Sequence, residues 1–324
     1  MEASKKITEN QGNTDSKKEM VTGMFNDIAP TYDALNHLLS LGVDHSWRRK
    51  TVRAAVSFLK SRLLDSWQCI NLKDRRLAEN YASHAVEEIR ILDVATGTGD
   101  MAIALAVEMA RKLPFGGACD KSYDKRYAKT YGQASDGVAA TGHLNTLTGA
   151  PVRILGVDIS EKMLAIGREK IARKNITSKK SSRGRFMSQI NLQVGDAEAL
   201  DFEAQRFDCV TVAFGVRNFG DMSLGLSEMC RVLKSGGRCF ILEFSEPRTP
   251  VFGWLYRIYF HRVLPFAGRL VSRSAGAYTY LPRSVDSFPT PEVFTEMLRE
   301  AGFASVRIRR LTFGVAYIYI AEKS

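Results

Sequence analysis

The stretch Ile91–Ala102, ILDVATGTGDMA, decides the reading of this chain. A short apolar run carries Asp93, then breaks into Thr-Gly-Thr-Gly-Asp, and helix-forming residues follow at once. A strand that runs into glycines and then a helix is the opening of a βαβ unit. Gly97-Thr98-Gly99-Asp100-Met101-Ala102 fits the GxGxxG/A spacing of a nucleotide-binding turn. The bare backbone at Gly97 and Gly99 lets a ligand come close. A purely structural turn fits the same letters.

Working outward, the pattern repeats. VRILGVD is an apolar run ending in Asp158, INLQVGD ends in Asp196, and FDCVTVAFG begins a buried strand at Phe207. Helices alternate with these runs. One spans about Gly99 to Lys112, and Ser160 caps another that runs to about Arg173. A third has Leu226, Met229, Cys230 and Leu233 on one face and is closed by Gly236-Gly237. A fourth has a Thr290 cap, Pro291 at its first position and Gly302 at its exit. Before the glycine turn, Asp44 or Ser46 caps a helix with Trp47, Val52, Ala55, Val56 and Leu59 on one face. RCFILEF is a further strand, and FASVRIRRL and GVAYIYIAE form a closing hairpin around Thr312 to Gly314. Continuous apolar strands alternating with helices predict a mostly parallel α/β sheet covered on both faces, with an antiparallel strand from the hairpin.

In such sheets ligands lie at the carboxyl ends of the strands. Asp93, Asp158 and Asp196 all fall there. Like charges ~4 Å apart cost on the order of 4 kcal/mol at an effective dielectric near 20, so a pyrophosphate beside Asp93 and Asp100 is disfavoured. That weighs against a nicotinamide dehydrogenase. S-adenosylmethionine carries an ammonium, a sulfonium and a ribose diol. Asp158 suits the diol, and Asp196-Ala197 can bracket the adenine. Capping of turns is the alternative role for Asp158 and Asp196.

The bulk numbers are those of a globular protein with excess positive charge. The chain has 324 residues, 46 Lys plus Arg against 35 Asp plus Glu, and a formal net charge of +11. This favours anionic surroundings such as a membrane surface or nucleic acid. The five cysteines show no CxxC spacing, which argues against a disulfide framework or a zinc site, and no metal is expected. Residues 1–20 read as a disordered polar tail without a secretory or transit pattern, and no apolar run is long enough to span a bilayer. The remainder, 21–324, reads as one domain interrupted by insertions at about 65–88 and 114–151.

Several segments together are more specific than the glycine turn. MFNDIAPTYDALNHLLSLGVDHSWRR, LDVATGTGD, GVDISEKMLAIGREK, GDAEALDF, FDCVTVAFGVRNFGD and RVLKSGGRCFILEFS resemble the quinone-biosynthesis C-methyltransferases. Those enzymes act on demethylmenaquinol or on a methoxy-polyprenyl-benzoquinol. The resemblance runs from about Val21 to the C-terminus. It implies a Rossmann-like class I methyltransferase with a seven-stranded sheet, and S-adenosylmethionine as cofactor. It places Thr98, Asp158, Asp196 and Ala197 at that cofactor beside Asp93, Gly97 and Gly99. Ala213 stands where some members carry a serine facing the cofactor.

Ring methylation needs a carbon nucleophile, which a hydroquinone becomes when a phenolic hydroxyl loses its proton. Arg217 is expected to stabilise the phenolate, because a guanidinium is too weak an acid to serve as base. Asn218 is expected to orient the ring or the cofactor, and Tyr32 with Asp33 to shut the pocket. The D/N-P-P-Y motif of amino methyltransferases is missing where AFGV stands. Residues 247–285 hold no acid and interleave arginines with aromatics, which suits an anionic membrane interface. A solvated helical cover and an RNA groove remain as readings of that segment. The expected partners are a polyprenyl quinol and an anionic membrane surface, with no nucleic acid; a homo-oligomer is left open. The expected location is the cytoplasm, at the inner face of the cell membrane. A methyltransferase of another class, or a non-catalytic basic protein, would carry the same bulk features.

Overall fold

A computed structural model describes residues 16–33, 40, 42–71, 88–112, 152–178, 189–247, 253–254, 258 and 275–324. The elements in chain order begin with helix α1 (16–28), a 3-10 turn at Ala29–Thr31 and helix α2 (Val43–Asn71). Strand β1 (Ile89–Val94) leads to α3 (Asp100–Lys112), β2 (Val152–Asp158) to α4 (Glu161–Ser178), and β3 (Ile190–Val194) follows. Then come β4 (Phe207–Ala213), a 3-10 turn Val216–Asn218, α5 (Met222–Val232) and β5 (Leu233–Phe244). Helices α6 (Ala275–Asp286) and α7 (Pro291–Glu300) precede the hairpin of β6 (Ser305–Leu311) and β7 (Ala316–Glu322).

The seven strands form one sheet in the order β3-β2-β1-β4-β5-β7-β6. Pairs among β1 to β5 are parallel, and β7 pairs antiparallel with β5 and β6. The α/β reading, mostly parallel with an antiparallel strand from the C-terminal hairpin, holds. Strand residues alternate between two cores. Ile91, Ile154 and Cys209 pack under α2, α3 and α4. Leu92, Val94 and Val212 pack under α5 and α7. In α7 the side chains of Phe294 and Leu298 are fully buried, each worth about 1.5–3 kcal/mol relative to exposure.

Several expected boundaries move. Helix α1 starts at residue 16, inside the segment expected as a tail, because Lys17 and Lys18 find acceptors across the sheet edge. Helix α2 begins at Val43, one residue before Asp44, and continues to Asn71, into the first expected insertion. Helix α4 reaches Ser178 rather than Arg173; Ser160 does cap it, its Oγ accepting from the Met163 N–H at 3.3 Å. Helix α5 ends at Val232, and Gly236-Gly237 fall inside β5 instead of closing the helix. The chain there turns directly from helix into strand, with Asp208 holding the Lys234 ammonium at 3.1 Å. The second insertion, residues 72–87 of the first, and nearly all of the basic stretch 248–274 lie outside the described residues.

Candidate active site

The strand order reverses between β1 and β4, and the crevice outside their carboxyl ends is where an α/β sheet takes a ligand. A cleft of about 680 Å3, counted out to its open mouth, lies there.

The glycine turn forms its floor. Gly97 has φ +56 and Gly99 φ +77, conformations that glycine adopts without strain. The Thr96 N–H donates to the Val157 carbonyl at 2.9 Å and so ties the turn to β2. The Gly97 N–H donates to Asp158 Oδ2 at 2.8 Å, and the Ser160 N–H to Asp158 Oδ1 at 2.9 Å. Burial raises the Asp158 pKa against these backbone hydrogen bonds. Asp158 lines the cleft, and a carboxylate can accept from both hydroxyls of a diol. A Cβ on Gly97 would lie 3.7 Å from Met163 Cε and 4.0 Å from Tyr32 Cε1, two cleft residues.

The second wall follows β3. Asp196 and Ala197 line the cleft, as does Glu198. Asp196 Oδ1 accepts from the Glu198 N–H at 2.9 Å. The ammonium of Lys18, from α1, sits on Asp196 Oδ2 at 2.8 Å and Glu198 Oε2 at 2.9 Å. Burial lowers the Lys18 pKa, but the two carboxylates outweigh it and the net shift is upward. The cleft thus already attracts a cation supplied by the chain itself. Val21, Thr22 and Phe25 bring the rest of α1 over the opening.

Three expected cofactor residues, Asp93, Thr98 and Gly99, do not line the cleft. Asp93 is fully buried, accepts from Thr96 Oγ1 at 2.6 Å and Thr211 Oγ1 at 2.7 Å, and does not line the cleft. Burial pushes its pKa up to about 6 against those hydrogen bonds. Thr98 donates to Asp33 Oδ1 at 2.7 Å and accepts from Lys170 Nζ at 2.7 Å. Gly99 packs toward Leu192 and Gly167 rather than into the cleft. Asp100 is held by Lys170 at 2.8 Å, and Lys170 also pairs with Asp33. The electrostatic case against pyrophosphate therefore shifts. Asp93 and Asp100 are shielded or neutralised, and the acids that face the cleft are Asp158, Asp196 and Glu198.

Tyr32 lines the cleft, and Asp33 clamps its segment onto the glycine turn through Thr98 and Lys170. Ala213 and Asn218 line the far end. Arg217 does not. Its Nη1 donates to Glu243 Oε1 at 2.6 Å and to the Phe214 carbonyl at 2.7 Å, and it lies 5.3 Å from the Phe244 ring centroid. Glu243 is fully buried and also accepts from the Phe244 N–H at 2.9 Å. Arg217 thus belongs to the layer behind the cleft, with its charge balanced by Glu243.

Asn218 is held at both ends of its amide. Tyr280, from α6, donates to Oδ1 at 3.1 Å, and Nδ2 donates to the Phe214 carbonyl at 3.3 Å. Burial raises the Tyr280 pKa, Arg217 draws it down, and Glu243 raises it further. Sequence reasoning missed Lys18, Glu198, Lys170 and Tyr280. Glu198 was within reach, two residues from Asp196 in the same motif. The others sit in a polar tail, mid-helix and a basic segment, and carry no local signal.

Comparison of the sequence with known proteins finds a family. The sequence pattern of the ubiE/COQ5 methyltransferase family covers residues 13–323. A ubiquinone/menaquinone biosynthesis C-methyltransferase of Geobacter sulfurreducens is 39% identical over 307 residues, 95% of this chain and 90% of that protein. A demethylmenaquinone methyltransferase of Bacteroides fragilis is 35% identical over 311 residues, 96% of this chain and 95% of that protein. Another, of Thermus thermophilus, is 37% identical over 300 residues, 93% of this chain and 100% of that protein. The likeness spans the glycine turn, the acidic strand ends and the closing hairpin together, and the chain belongs to the ubiE/COQ5 methyltransferase family.

Proposed function

We propose that this chain methylates a ring carbon of a polyprenyl quinol, demethylmenaquinol or the corresponding benzoquinol of the ubiquinone pathway, in the cleft at the carboxyl ends of β1, β2, β3 and β4. One observation carries the reading most directly: the Asp158 carboxylate lines a cleft at the switch point of the sheet, beside the bare backbone of Gly97. S-adenosylmethionine supplies an electrophilic methyl on a cationic sulfur, and the residues present fit such a group. Asp158 offers carboxylate oxygens for a diol, Gly97 keeps the floor bare, and Asp196 and Ala197 line the wall beside it.

The chain's own contribution is positioning, which can supply ~7–11 kcal/mol of a displacement barrier. With that donor bound, a ring carbon would take the methyl group, the neutral thioether would leave, and the proton of the methylated carbon would pass to water. Before that, a phenolic proton must leave so that charge reaches the ring carbon. Asn218 has one Nδ2 hydrogen to donate to a quinol oxygen, since the other is taken by Phe214. Tyr280 fixes which end of that amide faces the substrate. Arg217 acts through the same turn as a positioning residue, holding the Phe214 carbonyl and the Val216–Asn218 segment in place.

A polyprenyl substrate resides in a bilayer. Among the described residues no helix is long and apolar enough to cross one. The chain therefore works from a membrane surface, in this reading the inner face of the cell membrane, drawn by its excess of 46 basic over 35 acidic residues. Incubation with methyl-labelled S-adenosylmethionine and reduced demethylmenaquinone, beside a demethylated benzoquinol, tests the proposal. Label is expected in at least one extracted lipid; label in neither, with cofactor bound, ends it.

A further inference from the structure

The turn between β6 and β7 lies on the same edge of the sheet as the cleft. Strand β7 runs antiparallel to β5 and β6 antiparallel to β7, so β6 points the same way as β1 to β5 and ends at the carboxyl edge. Beyond Leu311 the backbone takes left-handed conformations at three successive residues, Thr312 (φ 40), Phe313 (φ 56) and Gly314 (φ 99). Glycine adopts these freely, but a bulky aromatic there is an outlier. The result is a phenylalanine side chain 65% exposed at the tip of a hairpin.

The tip is built rather than frayed. Trp47 Nε1 donates to Thr312 Oγ1 at 2.8 Å, and Trp47 is itself buried against Phe214 and Phe244. The Val315 N–H donates to the Thr312 carbonyl at 3.1 Å. The Arg310 guanidinium curls over Gly314 and donates to the Phe313 carbonyl. Strain held in place by a surrounding frame points to a function for the residue it displays.

Along the hairpin from Ser305 to Ala321 the charge has one sign. Arg307, Arg309 and Arg310 are exposed on β6, and no acid occurs from Ser305 to Ala321. Strand β6 is an edge of the sheet, where exposed arginines also discourage pairing with another strand. That accounts for the arginines but not for Phe313, which lies past the end of the β6–β7 ladder. An aromatic at a tip with guanidiniums three and four residues before it matches a bilayer interface, where the ring enters the headgroup zone and the cations meet lipid phosphates.

We propose that the β6–β7 tip is the membrane-docking element: Phe313 inserts into an anionic lipid surface, Arg309 and Arg310 meet the headgroups, and the cleft is thereby turned toward the bilayer. This rests on the polyprenyl quinol reading for its purpose, but not for its test. The full chain is sedimented with vesicles of phosphatidylcholine doped with phosphatidylglycerol, with vesicles of phosphatidylcholine alone, and with mixed-sequence RNA. It is expected to pellet with the anionic vesicles, less so as salt rises, and not with the neutral ones.

Phe313→Gly suits the left-handed backbone, so its melting temperature stays at or above that of the parent chain, while its partition onto anionic vesicles falls roughly tenfold. Arg309→Gln lowers partition about fivefold at low salt. Methylation of a water-soluble short-chain quinol proceeds in Phe313→Gly at the parent rate, while that of a long-chain quinol embedded in vesicles slows. If Phe313→Gly partitions like the parent, or the parent pellets with RNA and not with vesicles, the proposal is overturned. If the parent chain binds vesicles through Phe313 yet methylates no quinol, the docking element stands and the functional reading fails.

Discussion

Asn218 shows how a single amide is given one orientation. Its carbonyl oxygen accepts from Tyr280 and its nitrogen donates to the Phe214 carbonyl, so a flip would set its oxygen against that carbonyl oxygen. Tyr280→Phe keeps the ring and removes the hydroxyl. We expect kcat/KM for the quinol to fall about tenfold, in line with the ~1–1.5 kcal/mol worth of one hydrogen bond, with the KM for S-adenosylmethionine unmoved. Steady-state kinetics with each substrate varied in turn check this, and a change confined to the cofactor KM would sink it. Arg217 is a different case. Breaking a buried ion pair leaves an uncompensated charge at a cost of about 3–5 kcal/mol. Arg217→Met should therefore lower stability sharply, and adding Glu243→Gln should recover much of the loss. If urea unfolding and turnover are both restored in the double variant, Arg217 has no part in the reaction beyond holding the fold.

At the scale of elements, α4 is the frame of the glycine turn. Its Lys170 gathers Thr98, Asp100 and Asp33, joining α3, the turn and the segment that carries Tyr32. Its Gly167 lets the helix lie against the turn: a Cβ there would come within 2.6 Å of Leu192 Cδ1 and 3.1 Å of the Thr98 carbonyl carbon. Alanine in mid-helix normally gains about 1 kcal/mol over glycine. Here the clash with backbone should reverse the sign, and Gly167→Ala is expected to destabilise by about 1–3 kcal/mol and to weaken cofactor binding. Thermal melts and calorimetric titration with S-adenosylmethionine give both numbers. A variant as stable as the parent would show that α4 has room to move.

At the scale of the whole molecule, Asp93 links folding to pH. Its pKa is raised from 3.8 to about 6 in the folded chain by burial. A folded state that holds a proton the unfolded chain has already released gains stability as pH falls from about 6 toward 4. The difference corresponds to on the order of 3 kcal/mol for this group alone, lost again as pH rises through 6. Asp93→Asn removes the dependence. Urea unfolding across that range should give the parent chain a gain on acidification, relative to Asp93→Asn, and parallel profiles would refute the assignment. Other carboxylates pull the opposite way: ion pairs with Arg90 and Arg153 lower the Glu88 pKa, and Arg231 lowers that of Glu228. The comparison between the two chains is therefore what isolates Asp93.

The sequence by itself determined the alternation of strands and helices, the glycine turn, the acids at strand ends and the hairpin. These are local: period-two and period-3.6 patterns, caps such as Ser160 and Thr290, and turn residues act on neighbours within a few positions. It also carried the family likeness, because that lies in short contiguous motifs. Only the tertiary structure decided which acids face the ligand. Asp93 and Asp158 both lie at the carboxyl edge of the sheet, yet one is sealed between Thr96 and Thr211 and the other opens onto the cleft. It likewise decided that Arg217 stands behind Asn218, paired with Glu243 26 residues away, and that Lys18 reaches Asp196 across 178 residues. The physical reason is the same in each case. A side chain's charge is assigned by whatever folding brings within about 4 Å of it, and that distance has no counterpart in sequence separation.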